Sequence, residues 1–242
     1  MRLFAVVSYD GTSYHGWQKQ VGDKSVQEEI EKVLSQILNT EINIYGSGRT
    51  DAGVHALNQT FHFDVDKEVD IARLRYSANM LLPSSIFIKS LEKVNDDFHA
   101  RFSAKGKVYR YSLYFKERDP FLSNRSCFYP YEFDEELFKK ALDKFKGEHN
   151  FQDFTSKEED NDNFVRRIDD IVISKNEKEL LIDISGNGFM RYMIRDIIGS
   201  ALAVASKKEP LEFIDNHLDS KIRNIVSYKS EACGLYLLKV IY

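Results

Sequence analysis

The order in which strand-like and helix-like runs follow one another limits this chain more than any single motif does. Leu3-Phe4-Ala5-Val6-Val7-Ser8-Tyr9, closed by Asp10-Gly11, predicts a buried strand. Ser25 and Glu28 form a capping box ahead of Val26, Ile30, Val33, Leu34 and Ile37, whose spacing predicts a helix. Strands are expected over residues 41–45 and 60–65, a helix over 70–82 stopped by Pro83, and a strand at 86–88. The pattern then restarts, with a strand at 107–115 and a helix over 134–146 that Gly147 ends. Residues 156–163 read as a polar, mobile loop. Strands at 166–174 and 180–185, a long helix over 189–206, a short one near 211–218 and a strand at 235–241 complete the chain. Strand follows strand more often than strand alternates with helix, which favours α+β with antiparallel sheets over a doubly wound parallel sheet. Two α+β subdomains are expected, 1–103 and 104–242.

With 242 residues, 43% hydrophobic and 30% charged, the chain can bury a real core and is not of a disordered composition. No apolar run approaches a membrane span, and the start of the chain shows no signal-peptide block, so a cytoplasmic protein is expected. Cys127 and Cys233 are far apart in sequence, and the six histidines have no ligand spacing, so neither a disulfide framework nor a metal is expected. The net charge of −4 argues against nucleic acid. Yet Arg101, Lys105, Lys107, Arg110, Lys116 and Arg118 crowd one short stretch against the single acid Glu117. Screening confines distant charges to a reach of about 10 Å, so a basic stripe can hold phosphates on an acidic molecule. A solvated charged face fits the same residues.

Three segments could carry chemistry. Tyr45-Gly46-Ser47-Gly48-Arg49-Thr50-Asp51-Ala52-Gly53-Val54-His55-Ala56-Leu57 breaks a strand-like alternation with three glycines in a flexible hairpin. It suits either a loop presenting one acid, Asp51, to a cleft, or a turn in which Asp51 caps its own backbone. In the helix after Gly188, Met190, Ile194, Ile197, Ile198, Ala201 and Ala205 share an apolar face. Arg195 lies about 20° from Leu202 at its edge, with Arg191 on the same flank and Asp196 on the polar side. Arg195 there either meets a buried carboxylate or extends to solvent. Tyr109 shares a strand face with Tyr111, Leu113 and Phe115, as a core residue or as a platform for a nucleobase. The glycine-rich segments match neither a P-loop nor a dinucleotide fingerprint.

In order along the chain, Tyr9-Asp10-Gly11 through Gly16-Trp17-Gln18 with Ser25-Val26-Gln27, Gly48-Arg49-Thr50-Asp51-Ala52-Gly53-Val54-His55-Ala56, Phe98-His99-Ala100-Arg101-Phe102-Ser103-Ala104, Tyr109-Arg110-Tyr111, Gly186-Asn187-Gly188-Phe189 with Arg195, and Gly234-Leu235-Tyr236-Leu237 resemble the tRNA pseudouridine synthase A family. The resemblance implies two α+β subdomains around an extended, mainly antiparallel sheet with a catalytic cleft between them. It also implies a homodimer with tRNA lying across both subunits, and uridines 38, 39 and 40 of the anticodon stem-loop as substrates. Asp51 falls at the family's nucleophile, Tyr109 at the tyrosine that stacks on the uracil and helps move a proton, and Arg195 at the basic partner of the aspartate. Leu235 falls at the floor of the uracil pocket, and Arg49 at the arginine linked to flipping the nucleotide. Arg101, Lys105, Lys107, Arg110 and Arg191 are expected on phosphates.

Such an isomerisation is redox-neutral and needs no cofactor. Ala232-Cys233 stands where relatives often have proline, the sequence ends at Tyr242 without the tail of longer members, and residues 158–162 are acidic. Those departures leave ribosomal RNA open as the target. A non-catalytic RNA-binding module and an N-glycosylase releasing uracil are the rival readings.

Overall fold

The computed structural model describes residues 1–156 and 163–242, and its elements group into two compact units, Met1–Lys105 with Tyr236–Tyr242, and Gly106–Leu235. The loop expected at 156–163 falls mostly on 157–162, outside the described residues.

In the first unit, β1 (Arg2–Tyr9) is the axis of a sheet ordered β4-β1-β3-β10. It pairs antiparallel with β3 (His55–Asp64) and with β4 (Ile86–Val94), while β10 (Leu235–Ile241) joins β3 in parallel. α1 (Val26–Leu38) starts where the capping box requires: the Ser25 side chain accepts from the Glu28 N–H at 3.3 Å. α1 and α2 (Ile71–Leu81) cover a core that includes Leu3, Trp17, Ile30, Leu34, Phe61, Phe63 and Ile88.

The strand expected at 41–45 shrinks to β2 (Tyr45–Gly46), paired antiparallel with β3. Ile42 and Ile44 are buried as their alternation predicts. Their backbone, however, bonds to side chains of α1 instead of a ladder. Ile42 N–H donates to Ser35 Oγ at 2.9 Å and Ile44 N–H to Glu31 Oε1 at 3.1 Å, while the Ile44 carbonyl accepts from Gln27 Nε2 at 3.1 Å.

In the second unit the order is β5-β9-β8-β7, antiparallel throughout, with β6 (Cys127–Tyr129) parallel to β5 (Gly106–Phe115). β7 (Gly147–Asn150) runs directly from the expected helix stop, and β8 (Val165–Lys175) and β9 (Glu179–Gly186), at the two expected strands, pair antiparallel. α3 (Glu135–Asp143) packs on α4 (Met193–Ala205), and α5 (Glu212–His217) follows. Both units therefore mix helices with mainly antiparallel strands, and the fold is α+β.

α4 starts four residues later than its periodicity predicts, because Tyr192 takes a left-handed conformation, φ 66°, and Arg191 precedes the helix. Asp196, expected on a polar side, is buried. The physical reason is that α4 is enclosed on nearly every side, Met193 through Ala205 being almost all buried, so it has no single wet face.

Candidate active site

Each unit carries part of the expected residue set. In the first, a β-bulge that shifts the β1–β3 register between Val7 and Tyr9 re-aims the end of β1. Tyr9 Oη then meets Thr50 Oγ1 at 2.8 Å, inside the Asp51 loop. That loop is not a flexible hairpin; its backbone is held from several directions. Ser47 N–H donates to the Thr60 carbonyl at 2.8 Å, Trp17 N–H to that of Thr50 at 3.1 Å, and Gly53 N–H to that of Tyr14 at 3.3 Å. Gln59, fully buried, accepts from Ser47 Oγ at 2.7 Å and donates to the Gly48 carbonyl at 3.0 Å. Val54 N–H closes the turn on the Asp51 carbonyl at 3.1 Å. Among these tethers Asp51 stays half-buried, between exposed Ala52 and buried Thr50. The arrangement fixes the backbone that carries the Asp51 carboxylate.

The connector 12–23 supports the loop through Trp17 and Gln18. Trp17 is buried between Tyr9 and Phe61, with ring centroids at 5.9 and 6.1 Å, and its indole fills the space over Gly46. Gln18 Oε1 accepts from Arg49 Nε at 3.2 Å, and Gln18 Nε2 donates to Gln27 Oε1 at 2.7 Å. Arg49 is thus exposed but steered from its Nε edge. His55 Nδ1 accepts from Gly11 N–H at 3.1 Å, and its ring stacks on Tyr236 at 4.7 Å. Arg101 and Lys105 are exposed.

In the second unit, Tyr109 is buried on β5, opposite Ile184 and edge-on to Phe189 at 5.3 Å. Arg110 faces Asp183 across the β5–β9 pair and binds it at two points, 2.7 and 2.8 Å, a bidentate geometry that already satisfies its fork. Lys107 is half-buried and Arg191 exposed. Arg195, on the first turn of α4, is half-buried and donates through Nε to the Ser230 carbonyl at 2.7 Å. Ser230 returns two bonds to the Arg195 carbonyl, from N–H and Oγ, both at 3.0 Å. Tyr111 Oη donates to the Glu231 carbonyl at 2.8 Å, so the segment leading to Leu235 is tied to α4 and β5 together. A side chain on Gly234 would place its Cβ 2.6 Å from the Ser112 carbonyl, so glycine is required for this approach. Leu235 follows it, buried at the start of β10.

Neither cysteine offers a competing nucleophile. Burial raises the Cys127 thiol above its ordinary pKa and pushes that of Cys233 up to about 11, which leaves little thiolate at neutral pH. Among the described residues no group of three or more His, Cys, Asp or Glu side chains could hold a metal ion.

A family model described as tRNA pseudouridine synthase matches residues 5–103 and 141–242. The chain belongs to the tRNA pseudouridine synthase family. Relatives named tRNA pseudouridine synthase A span it completely. One from Streptococcus mutans is 35% identical and covered over 99% of its own length; one from Legionella pneumophila is 35% identical and covered over 93%; one from a Geobacillus strain is 39% identical and covered over 98%. A solved Cbf5-Nop10-Gar1 complex matches with TM-score 0.42 at 10% identity, over 97% of this chain and 57% of that one. The family's enzymes are isomerases, and this chain is one of them.

Sequence reasoning passed over the residues that build the loop's supports. Glu31 is a buried carboxylate on α1, signalled only by an acid set one turn from Gln27 beside the apolar stripe. Gln59 shows no local signal, since its role depends on β3 running behind the loop.

Proposed function

We propose that this protein isomerises uridine to pseudouridine in the anticodon stem-loop of tRNA, at positions 38, 39 and 40, with Asp51 as nucleophile. The observation that carries the reading is the Gly48–Ala56 run, in which a half-buried carboxylate stands on a backbone tethered by Trp17, Tyr14 and Gln59. Preorganisation of this kind serves chemistry more than binding, because a carboxylate among phosphates weakens affinity.

In this reading the target nucleotide leaves its stack, and Arg49 supports the vacated strand. Asp51 attacks C1′ or C6 of the uridine, and the N1–C1′ bond breaks. The freed uracil turns over Leu235 and rejoins C1′ through C5, and the bond between Asp51 and the carbon it attacked breaks, which frees the carboxylate. The C5 proton departs with help from Tyr109, and N1 gains one, so no atom is lost or added. Arg195 keeps Asp51 ionised against the desolvation that substrate brings. Arg101, Lys105, Lys107, Arg110 and Arg191 hold phosphates, and Arg110 also pairs with Asp183 across the sheet. The family resemblance supports a homodimer carrying tRNA across both subunits, in the cytoplasm; among the described residues no helix is long and apolar enough to cross a membrane.

The test is to incubate protein with unmodified anticodon-arm RNA and map pseudouridine. Asp51→Asn is expected to abolish product while RNA affinity changes by less than about tenfold. Turnover near wild type in that variant refutes the nucleophile, binding without product in the wild type favours an RNA-binding module, and free uracil favours a glycosylase. Product only in ribosomal RNA fragments moves the substrate and leaves the chemistry in place.

A further inference from the structure

Two glutamine amides connect a buried acid on α1 to the arginine two residues before Asp51. Glu31, 5% exposed, anchors the chain. Its Oε1 accepts from Gln27 Nε2 at 2.9 Å and from the Ile44 N–H at 3.1 Å, and its Oε2 meets Lys19 Nζ at 3.3 Å. Gln27 Oε1 then accepts from Gln18 Nε2 at 2.7 Å and from the Lys19 N–H at 3.0 Å. Gln18 Oε1 in turn accepts from Arg49 Nε at 3.2 Å.

The buried end sets the direction of this chain. A carboxylate paired with lysine only accepts, and so does the Ile44 carbonyl, which takes a further bond from Gln27 Nε2 at 3.1 Å. Turning the Gln27 amide over would set its oxygen against both, so its Nε2 points to Glu31 and its Oε1 to Gln18. Gln18 then has one choice. Reversed, it would place oxygen against oxygen at Gln27 and an amide N–H against the Arg49 Nε–H. Arg49 is exposed, where a long side chain ordinarily samples many rotamers. Here its inner nitrogen is held by an acceptor that is itself held, while its Nη pair makes no hydrogen bond to the described residues. A guanidinium gripped by its Nε edge presents two parallel N–H groups, which match two oxygens of a phosphate.

We propose that Gln18 and Gln27 are positioning residues for Arg49: a two-amide relay, anchored on Glu31, that aims the Nη pair at a phosphate of the strand the target uridine has left. The inference rests on the RNA substrate and on the role of Arg49 proposed above. What it adds is that α1 sets the aim of the arginine, through side chains that act on it and not on the RNA.

One arm of the experiment follows single-turnover pseudouridine formation in the unmodified anticodon-arm RNA, with protein in excess. Gln18→Met keeps the side chain's length and removes both polar atoms. Its rate is expected to fall about five- to twentyfold, with RNA affinity changed by less than about threefold because the charge on Arg49 stays. In an Arg49→Met background the same change should cost less than about twofold, since the group it acts through is gone. Matched thermal melts, expected within about 2 °C of wild type for Gln18→Met, confirm folding. A wild-type rate in Gln18→Met, or the same loss in both backgrounds, overturns the proposal.

A second arm needs no RNA: NMR on isotope-labelled protein reads how fast the Arg49 Nε–H exchanges with solvent, the signal being assigned by its loss in Arg49→Met. Gln18→Met should speed this exchange by about fivefold or more, and Gln27→Met, which leaves Gln18 in place but free to turn, should speed it too. Equal exchange in all three proteins removes the relay, and faster exchange in Gln18→Met alone removes Gln27 from it. If the wild type makes no pseudouridine, the substrate reading fails by itself. Slow exchange that both variants abolish then keeps the relay as the support of Arg49, and its absence ends the relay too.

Discussion

Gly16 shows how much of the Asp51 loop depends on single atoms. It holds φ 99°, and a Cβ there would lie 2.5 Å from the Thr50 carbonyl oxygen and 3.2 Å from the carbonyl carbon of Asp51. The obstacle is backbone, so no side-chain rotation relieves it. Gly16→Ala must either unwind the connector or push the Thr50–Asp51 peptide away from Trp17. The left-handed conformation alone costs an alanine about 1–3 kcal/mol, and the displaced hydrogen bonds add to it. The expected outcome in a urea titration is a loss of at least about 2 kcal/mol. Single-turnover product formation should fall by more than the unfolded fraction explains, because the same displacement moves the carboxylate. Wild-type stability together with a wild-type rate would mean that the loop tolerates a shift this argument forbids.

At the scale of elements, α1 acts as a scaffold as well as a cover for the sheet. Its Gln27 and Glu31, one turn apart, bond to each other at 2.9 Å and between them take both backbone groups of Ile44, just before the loop. Lys19 adds an ion pair to Glu31 at 3.3 Å. Glu31→Leu leaves the buried Ile44 N–H without its acceptor, at about 1–3 kcal/mol, and strands Lys19. Glu31→Gln keeps an acceptor oxygen and should cost under about 1 kcal/mol. Chemical denaturation of the two variants should reproduce that order, and the reverse order would remove the α1 scaffold from the account.

The same helix explains what periodicity can and cannot convey. α1, β5, β8 and β9 are legible because their stripes and alternations face a core formed by neighbouring residues. The alternation at Ile42 and Ile44 is equally clear and correctly predicts burial, yet no strand forms, since side chains from α1 replace the ladder. Tyr192 hides the start of α4 in a similar way: the apolar period runs through Met190, but one left-handed residue breaks it. Asp51, Tyr109 and Arg195 stood out through motif resemblance. Their supports, Gln59, Glu31 and Ser230, depend on contacts between residues distant in sequence and leave no local trace.

For the molecule as a whole, His62 links folding to pH. It lies inside the first sheet, opposite Phe4 on β1 and Tyr45 on β2, and is 2% exposed. Its Nδ1 accepts from the Ala100 N–H at 3.1 Å, while Tyr242 Oη donates to the Ala100 carbonyl at 2.8 Å and meets Thr60 Oγ1 at 2.6 Å. Ala100 is therefore clamped from both sides, which gives a structural reason for the Phe98–Ala104 block and ties it to the chain's last residue.

Burial first, then the nearby His99 and Arg2, lower the His62 pKa to about 4, with Asp64 opposing. A proton on Nδ1 would also set a donor against the Ala100 N–H. The unfolded chain takes that proton near pH 6.5 and the folded one only near 4, so between these values the unfolded state binds more protons. Stability is complete above about 6.5, declines as pH falls toward 4 by on the order of 2–3 kcal/mol, and receives no further loss from this group below that. His62→Asn keeps an acceptor near Ala100 but cannot titrate. It should be less stable than the wild type at neutral pH, through lost packing, and show a flatter dependence between pH 6.5 and 4. Denaturant midpoints for both proteins across that window decide it: parallel curves would place the acid sensitivity elsewhere, and converging ones assign it to the clamp on Ala100.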